Sequence, residues 1–226
     1  SAADLVLAFA GDVTQHTGTV SVTDNPLSGS AGVTSLNTIS GETNGVVTAT
    51  ISGTAAELAL LTSAADDLIT VTVTTAPDVA QLKAINAATN GAITLGDTTG
   101  ALSGSAADLV LAFAGTVTEH TGTITVTDAP LSGSAGVTSL NTIAGETTGV
   151  VTATISGTAA ELANLTSLAT DLVAVTVTNA PDLAQLKAIN AATGGAITLG
   201  VTTGALSGSA ADLVLAFAGD VTQHTG

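Results

Sequence analysis

The chain opens with a stretch of eighteen residues, Ser1-Ala-Ala-Asp-Leu-Val-Leu-Ala-Phe-Ala-Gly-Asp-Val-Thr-Gln-His-Thr-Gly18. The same eighteen residues return unchanged at 209–226 and with two changes at 105–122. The period is 104 residues, because 105 − 1 and 209 − 105 both equal 104. Internal repetition at a fixed period is typical of repeat proteins. It predicts repeat block 1 at 1–104, repeat block 2 at 105–208, and the start of a third block at 209–226.

A shorter period lies inside each block. Pairs of threonines separated by one residue recur at Thr125/Thr127, Thr152/Thr154 and Thr176/Thr178. Their first members are 27 and 24 residues apart (152 − 125 and 176 − 152). We therefore interpret each 104-residue block as four quasi-repeats that average 26 residues.

Each quasi-repeat contains a strand pattern. Threonine alternates with β-branched apolar residues in Thr123-Ile-Thr-Val-Thr127, and 150–154 and 172–178 show the same alternation. A period of two predicts a strand with one buried face and one face in water. The strands are expected to end at turns such as Asp128-Ala-Pro130, where proline removes a hydrogen-bond donor.

A helix pattern accompanies each strand. Thr158-Ala-Ala-Glu161 and Ser105-Ala-Ala-Asp108 have the spacing of a capping box, and an apolar face spaced by three or four residues follows each. Carboxylates at predicted helix starts suit the positive end of the helix dipole. They are Asp4, Glu57, Asp78, Asp108, Glu161 and Asp182.

One strand and one short helix per 26 residues predict an α/β solenoid. Stacked coils would pair their strands in parallel, about 4.8 Å apart, and place the helices on the other side. The alternative fold is an all-β solenoid with two or three short strands per coil. Small aliphatic side chains favour such stacking, since only 1% of the residues are aromatic.

The net charge of −16 makes nucleic acid an unlikely partner, since the chain has only two basic residues. The chain has no cysteine, which does not decide its compartment. No uninterrupted apolar stretch approaches 18 residues, so we expect no membrane span, and no signal peptide is visible.

Candidate chemistry is sparse. His16, His120 and His224 share one repeat phase, and we interpret them as surface turns, the first beside Asp12. A zinc site needs several convergent ligands, and a catalytic triad needs one special constellation. We therefore predict no catalytic, cofactor-binding or metal-binding residues and no enzyme activity. Carboxylates near expected turns leave Ca²⁺ possible. They are Glu42, Asp66, Asp67, Asp97 and Glu146.

The chain resembles the repeat regions of large cell-surface and secreted adhesin-like or filament proteins of cyanobacteria and proteobacteria. The resemblance rests on the strand, turn and helix at 175–193 and on the Ser-Gly-Ser-Ala-Ala-Asp-Leu segment at 207–213. It implies an extracellular or cell-surface location and a role as an extended stalk or filament body. The calcium-binding Gly-Gly-x-Gly-x-Asp nonapeptides of neighbouring repeat types do not occur here.

We therefore expect a structural repeat segment of an extracellular filament or adhesin stalk. Its partner would be itself, through open solenoid ends, as a homopolymer or as the continuation of a longer array. The alternative is a surface-binding or lattice module of the S-layer kind. Such a module would contact a surface, a glycan or Ca²⁺ through its threonine-rich sheet or its acidic turns, and the threonine rows would also suit an ice surface.

Overall fold

A computed structural model describes residues 1–11 and 14–226. The described part of the chain contains nine helices and eleven strands. The helices are α1 (Ala2–Phe9), α2 (Gly29–Gly41), α3 (Ala55–Leu58), α4 (Val79–Ala87), α5 (Ala106–Ala112), α6 (Gly133–Gly145), α7 (Ala159–Leu162), α8 (Leu183–Ala191) and α9 (Ala210–Ala216). The strands are β1 (Val20–Ser21), β2 (Leu27–Ser28), β3 (Val47–Gly53), β4 (Leu68–Val73), β5 (Ile93–Leu95), β6 (Leu102–Gly104), β7 (Ile124–Val126), β8 (Leu131–Ser132), β9 (Val151–Gly157), β10 (Leu172–Val177) and β11 (Ile197–Leu199).

The chain divides into two compact units. The first comprises residues 1–100 and 111–119, and the second comprises 101–110 and 120–226. The first unit contains a five-stranded sheet in the order β1-β3-β4-β5, with β2 also paired to β3. The second contains a six-stranded sheet in the order β11-β10-β9-β7-β6, with β8 also paired to β9. Every strand pair in both sheets is parallel.

The prediction of an α/β solenoid is wrong. Strands and helices alternate in two separate, open parallel sheets instead of one series of equal coils. Val20 pairs with Val47 and Thr48 pairs with Leu68, which are steps of 27 (47 − 20) and 20 (68 − 48) residues. The mean quasi-repeat length of 26 residues therefore does not correspond to a constant step between paired strands. The length of each connecting loop sets the hydrogen-bond register of its own strand pair. The all-β alternative is also wrong, because helices connect the strands.

Each sheet has one covered face and one open face. In β3, Val47, Ala49 and Ile51 are buried, whereas Thr48 is exposed and Thr50 is half-buried. The strand order follows the chain in one direction, so right-handed crossovers place the connecting helices on the same face. The covered face forms the core with the apolar sides of those helices. We call the opposite, threonine-rich side the open face.

The capping box predicted at Thr158 is confirmed, and part of the same pattern is present at Ser105. The Thr158 hydroxyl accepts from the Glu161 main-chain N–H, and the Glu161 carboxylate accepts from the Thr158 N–H at 2.9 Å. Ser105 and Asp108 form a similar contact, with the Ser105 hydroxyl accepting from the Asp108 N–H and donating to the Asp108 carboxylate at 2.9 Å. The helices that these residues start are short, at four residues for α7 and seven for α5.

The predicted strands are confirmed at 123–127, 150–154 and 172–178, where β7, β9 and β10 lie. Their alternation is also as expected. In β10, Val173, Val175 and Val177 are buried and Thr176 is exposed.

A threonine–x–glycine turn joins helices to the strands that follow them. The buried Thr193 hydroxyl accepts from the Gly195 N–H at 2.8 Å and donates to the Val173 carbonyl at 2.7 Å. Thr89 and Gly91 form the same turn against Ile69. The glycine is required because a Cβ at Gly195 or Gly91 would overlap a backbone carbonyl of the preceding strand–helix segment. The turn thus binds successive segments to each other through main-chain groups.

We predict that Gly149→Ala destabilises the second compact unit by about 2 kcal/mol or more, because the added Cβ would overlap the Gly122 carbonyl. The matched control is Gly145→Ala, where a Cβ has no atom within 4 Å. Urea unfolding of both variants measures the difference. Equal stability of the two variants would contradict the requirement for close backbone approach.

No helix within the described residues is long and apolar enough to cross a membrane.

Candidate functional site

The three histidines occupy different environments despite their shared repeat phase. His16 is exposed and its ring lies 6.4 Å from that of Phe9, and the His224 ring lies 6.2 Å from that of Phe217. His120 is only 2% exposed. The prediction of a surface turn is therefore correct for His16 and wrong for His120, because packing covers the second copy. Asp12, the predicted neighbour of His16, lies outside the described residues.

The carboxylates predicted at helix starts serve as caps. Glu57 and Glu161 sit in the third helical position of α3 and α7 and complete capping boxes. Asp78 and Asp182 are themselves the N-cap residues of α4 and α8, and each accepts a main-chain N–H at 2.8 Å. The helix-start interpretation of these residues is confirmed, and their oxygens are used within the fold.

Glu57 also reaches a second helix. Its Oε1 accepts from the Ser30 main-chain N–H at 3.3 Å and from the Ser30 hydroxyl at 3.2 Å, at the start of α2. The N-cap residue of α2, Ser28, forms no side-chain cap of its own. Glu57 therefore supplies part of that cap from 27 residues downstream (57 − 30).

Hydrogen bonds lower the pKa of both glutamates. The main-chain N–H of Thr54, followed by its hydroxyl, holds the pKa of Glu57 below the ordinary value of 4.5. Thr158 lowers the pKa of Glu161 in the same order. Because the folded-state pKa lies below the unfolded one, these carboxylates stabilise the fold above pH 4.5, and that stabilisation is lost as the pH falls through the lowered values.

We predict that the double variant Glu57→Gln/Glu161→Gln has a lower Tm than the parent at neutral pH. The neutral amide of glutamine accepts hydrogen bonds more weakly than an ionised carboxylate does. The Tm difference should shrink as the pH falls below 4.5 and through the lowered pKa values, where the parent carboxyls also become protonated. Thermal unfolding across this pH range measures it. Glu119→Gln controls for the loss of a negative charge at an exposed position. A Tm difference independent of pH would contradict the role of the ionised form.

Asp67 is a structural residue that the sequence analysis placed among possible calcium ligands. It is 1% exposed, and it accepts from Val47 N–H at 2.7 Å, the Ser40 hydroxyl at 2.8 Å and Ala64 N–H at 3.1 Å. Asp171, its equivalent, is 2% exposed and accepts from Val151 N–H at 2.8 Å. The carboxylate of Asp67, which its place near an expected turn left as a possible calcium ligand, is therefore occupied by hydrogen bonds within the fold.

The sequence contained a signal for this role. The second block retains the aspartate of Asp67 as Asp171, whereas the neighbouring Asp66 is replaced by Thr170. Because Asp67 is retained and Asp66 is replaced, the comparison of the two blocks indicates that only Asp67 has a fixed partner in the fold.

We predict that Asp67→Ala lowers the free energy of unfolding by about 3 kcal/mol, because it leaves buried main-chain N–H groups without an acceptor. The adjacent exposed Asp66→Ala is the matched control and should have little effect. Chemical denaturation distinguishes them. Similar stabilities of the two variants would show that Asp67 is dispensable for the fold.

Metal ligands do not gather in the described residues: no group of three His, Asp or Glu side chains could hold an ion there. Asp97 illustrates the local use of a half-buried carboxylate. Its Oδ1 accepts from the Thr99 main-chain N–H at 2.9 Å and from the Thr99 hydroxyl at 2.8 Å. This is a turn-forming contact within three residues.

A cavity of about 580 Å³ lies between α8 and α9 in the second compact unit. It is lined mainly by apolar groups, among them Leu183 and Ala188. At its side, the Lys187 ammonium donates to Asp212 at 2.6 Å. This bond, together with that from Ser209, lowers the pKa of Asp212. The charges of this pair satisfy each other, so the cavity offers apolar surface with few polar groups to orient a ligand.

The open face carries rows of hydroxyl groups. Ser52, Thr72 and Thr94 lie in register on adjacent strands of the first unit. Ser156, Thr176 and Thr198 form the equivalent row in the second unit. Neighbouring positions in such a row are about 4.8 Å apart. Among the described residues the strand order never reverses along either sheet, so these residues form no crevice of the kind at which open α/β sheets bind cofactors.

Comparison of the chain with protein-family models, curated proteins and solved structures finds no match.

Proposed function

We propose that the chain is a structural, non-enzymatic repeat segment of an extracellular filament or adhesin stalk. Repeated side chains bond successive strand–helix segments to one another, and this observation carries the proposal. The extracellular location rests on the resemblance of the sequence to bacterial surface repeats.

Four asparagines illustrate this cohesion. Each donates its side-chain amide to a main-chain carbonyl 23 to 25 residues downstream, at 2.8 or 2.9 Å. They are Asn37, Asn86, Asn141 and Asn190, which bond to Leu60, Leu111, Asn164 and Leu215 respectively. They lie on α2, α4, α6 and α8, and together with the Thr–x–Gly turns they provide polar bonds between neighbouring segments in both 104-residue blocks. Such bonds resist separation of the segments, which is the property that a stalk or fibre requires.

The use of polar groups supports a structural role over catalysis. Asp67 and Asp171 are engaged in buried bonds, and Glu57 and Glu161 cap helices. A catalytic site needs groups that are held in place and still available to a substrate. In this chain the repeated groups are used to hold the fold, while the net charge of −16 limits lateral clumping of copies.

We expect the purified chain to form long, unbranched fibres at high concentration, since both sheets end in edge strands that can pair with another chain. Electron microscopy and sedimentation measure this. A population of short, uniform particles at all concentrations would contradict filament formation by this chain.

A second candidate function is suggested by the open face. Its hydroxyl rows favour a module that binds a flat surface or a glycan. Adsorption to glycan arrays and ice or mineral surfaces tests this role, with Thr70→Lys and Thr94→Lys as variants at exposed positions of the open face. Binding that is unaffected by both substitutions would exclude this face. For Ca²⁺, an unchanged Tm in the presence of a chelator would exclude metal-dependent folding.

A further inference from the structure

We infer that Asn44 and Asn90 are sites of self-modification, at which the asparagine side chain cyclises onto the next glycine amide when its Thr–x–Gly turn opens. The products are aspartate and isoaspartate, and the reaction consumes water and releases ammonia. The inference concerns the turns of the first repeat block, and it holds whether or not the chain forms fibres.

The first observation is a difference between equivalent turns of the two blocks. Asn44-Gly45 and Asn90-Gly91 are the Asn-Gly pairs of the sequence, and both lie in the first block. The second block has Thr148-Gly149 and Gly194-Gly195 at these positions. Its turns are nevertheless closed by the same bond, from the Gly149 N–H to the Thr147 hydroxyl at 2.9 Å. The turn itself therefore does not require asparagine.

An Asn-Gly pair contains both reacting groups in one short stretch of chain. The glycine nitrogen gives its proton to hydroxide and bonds to the side-chain carbonyl carbon of asparagine. The amide nitrogen of that side chain takes up a proton from water and leaves as ammonia, which completes a cyclic imide. Glycine favours this step because it has no Cβ to obstruct it, and asparagine is among the thermolabile residues.

Water then opens the imide at either of its carbonyl carbons. Cleavage of the bond from nitrogen to the side-chain carbon gives aspartate. Cleavage of the bond from nitrogen to the main-chain carbon gives isoaspartate, in which the main chain runs through Cβ and Cγ. Both products carry a carboxylate in place of the amide.

The closed turn points the glycine N–H away from the asparagine side chain. The Gly45 N–H donates to the Thr43 hydroxyl at 2.9 Å, and the Gly91 N–H donates to the Thr89 hydroxyl at 2.9 Å. The new bond to carbon must form where that hydrogen lies, because the nitrogen of the imide is planar. Both threonines are buried, whereas both asparagines are exposed to water. The ring therefore closes only after the turn has opened.

The two turns are held to different extents. The Thr89 hydroxyl accepts a second N–H, that of Ile69, at 2.9 Å and donates to the Ile69 carbonyl at 2.8 Å. The Thr43 hydroxyl donates to the His16 carbonyl at 3.0 Å, and among the described residues it accepts from Gly45 alone. We therefore expect the Thr43 turn to open more often and Asn44 to react before Asn90.

The isoaspartate product cannot restore the closed turn, because it adds one atom to the main chain between the threonine and the glycine. A Cβ on Gly45 would already overlap the Gly18 carbonyl, and one on Gly91 would overlap the Ile69 carbonyl. Backbones this close leave no room for a longer chain. Each reaction therefore makes the opening of a turn permanent and removes the bond between two neighbouring segments.

Trypsin gives a direct readout, because Lys83 and Lys187 divide the chain into peptides 1–83, 84–187 and 188–226. The parent chain is incubated at mildly alkaline pH, with and without guanidinium chloride. Each peptide is then analysed by mass spectrometry and with an isoaspartate-specific methyltransferase. The peptide 188–226 contains no Asn-Gly pair and serves as the internal control.

In the folded parent we expect modification of 1–83 to be roughly tenfold slower than in the unfolded chain, which corresponds to about 1.4 kcal/mol. Modification of 84–187 should be slower again by roughly fivefold, or about 1 kcal/mol, for the additional hydrogen bond of Thr89. In guanidinium chloride the two rates should become nearly equal, because no turn is closed there.

Three variants test whether the turn controls the reaction. Thr43→Val removes the acceptor of the Gly45 N–H and should raise the rate in 1–83 roughly tenfold, or by about 1.4 kcal/mol. The matched control is Thr147→Val, which makes the same change in a turn without asparagine and should leave the rates in 1–83 and 84–187 unchanged. Asn44→Thr, which copies the second block, should abolish isoaspartate formation in 1–83.

Equal rates in the folded and unfolded parent would overturn the inference, because the turn would then have no effect on the reaction. A Thr43→Val rate equal to that of the parent would also overturn it. So would equal acceleration of 1–83 by Thr147→Val, which would indicate a general loss of stability. The comparison of folded and unfolded parent needs no substitution, so it decides the question even where Thr43→Val does not fold.

Discussion

The close contact between the backbones of successive segments at the Thr–x–Gly turns is the constraint on which the rest of the fold depends. The buried hydroxyls of Thr89 and Thr193 accept from a glycine N–H and donate to a carbonyl of the preceding segment. The glycines permit an approach that no side chain would allow. Once these turns are closed, the next strand starts in register, and its apolar residues reach the covered face of the sheet.

This arrangement assigns several buried or capping polar side chains to holding the fold together. Parallel sheets usually have both faces covered, whereas these have one face open to solvent. The interior is therefore a thin layer of aliphatic side chains, supplemented by polar bonds such as those of Asp67 and the asparagine side chains. These carboxylate and amide groups maintain cohesion between segments, which is the observation behind the structural role proposed above.

Local features were predictable from the sequence to a large extent. The capping box at Thr158, the cap contact of the Ser105 hydroxyl and the alternating strand at 172–178 are present where their patterns indicated. Burial of polar residues was less predictable. His16 and His120 have almost the same neighbours in sequence, yet only the second is buried, and Asp67 differs from Asp66 through partners that are distant along the chain.

The amino-acid sequence by itself determined the helix starts, the two-residue alternation of the strands and the equivalence of the repeats, because these depend on residues within a few positions of each other. The tertiary structure alone decided that the strands form two open sheets and that their steps range from 20 to 27 residues. Hydrogen-bond register and burial depend on how loops of different length bring distant backbones together. An average repeat length hides the differences between individual loop lengths. For that reason the sequence predicted a uniform winding that the structure does not have.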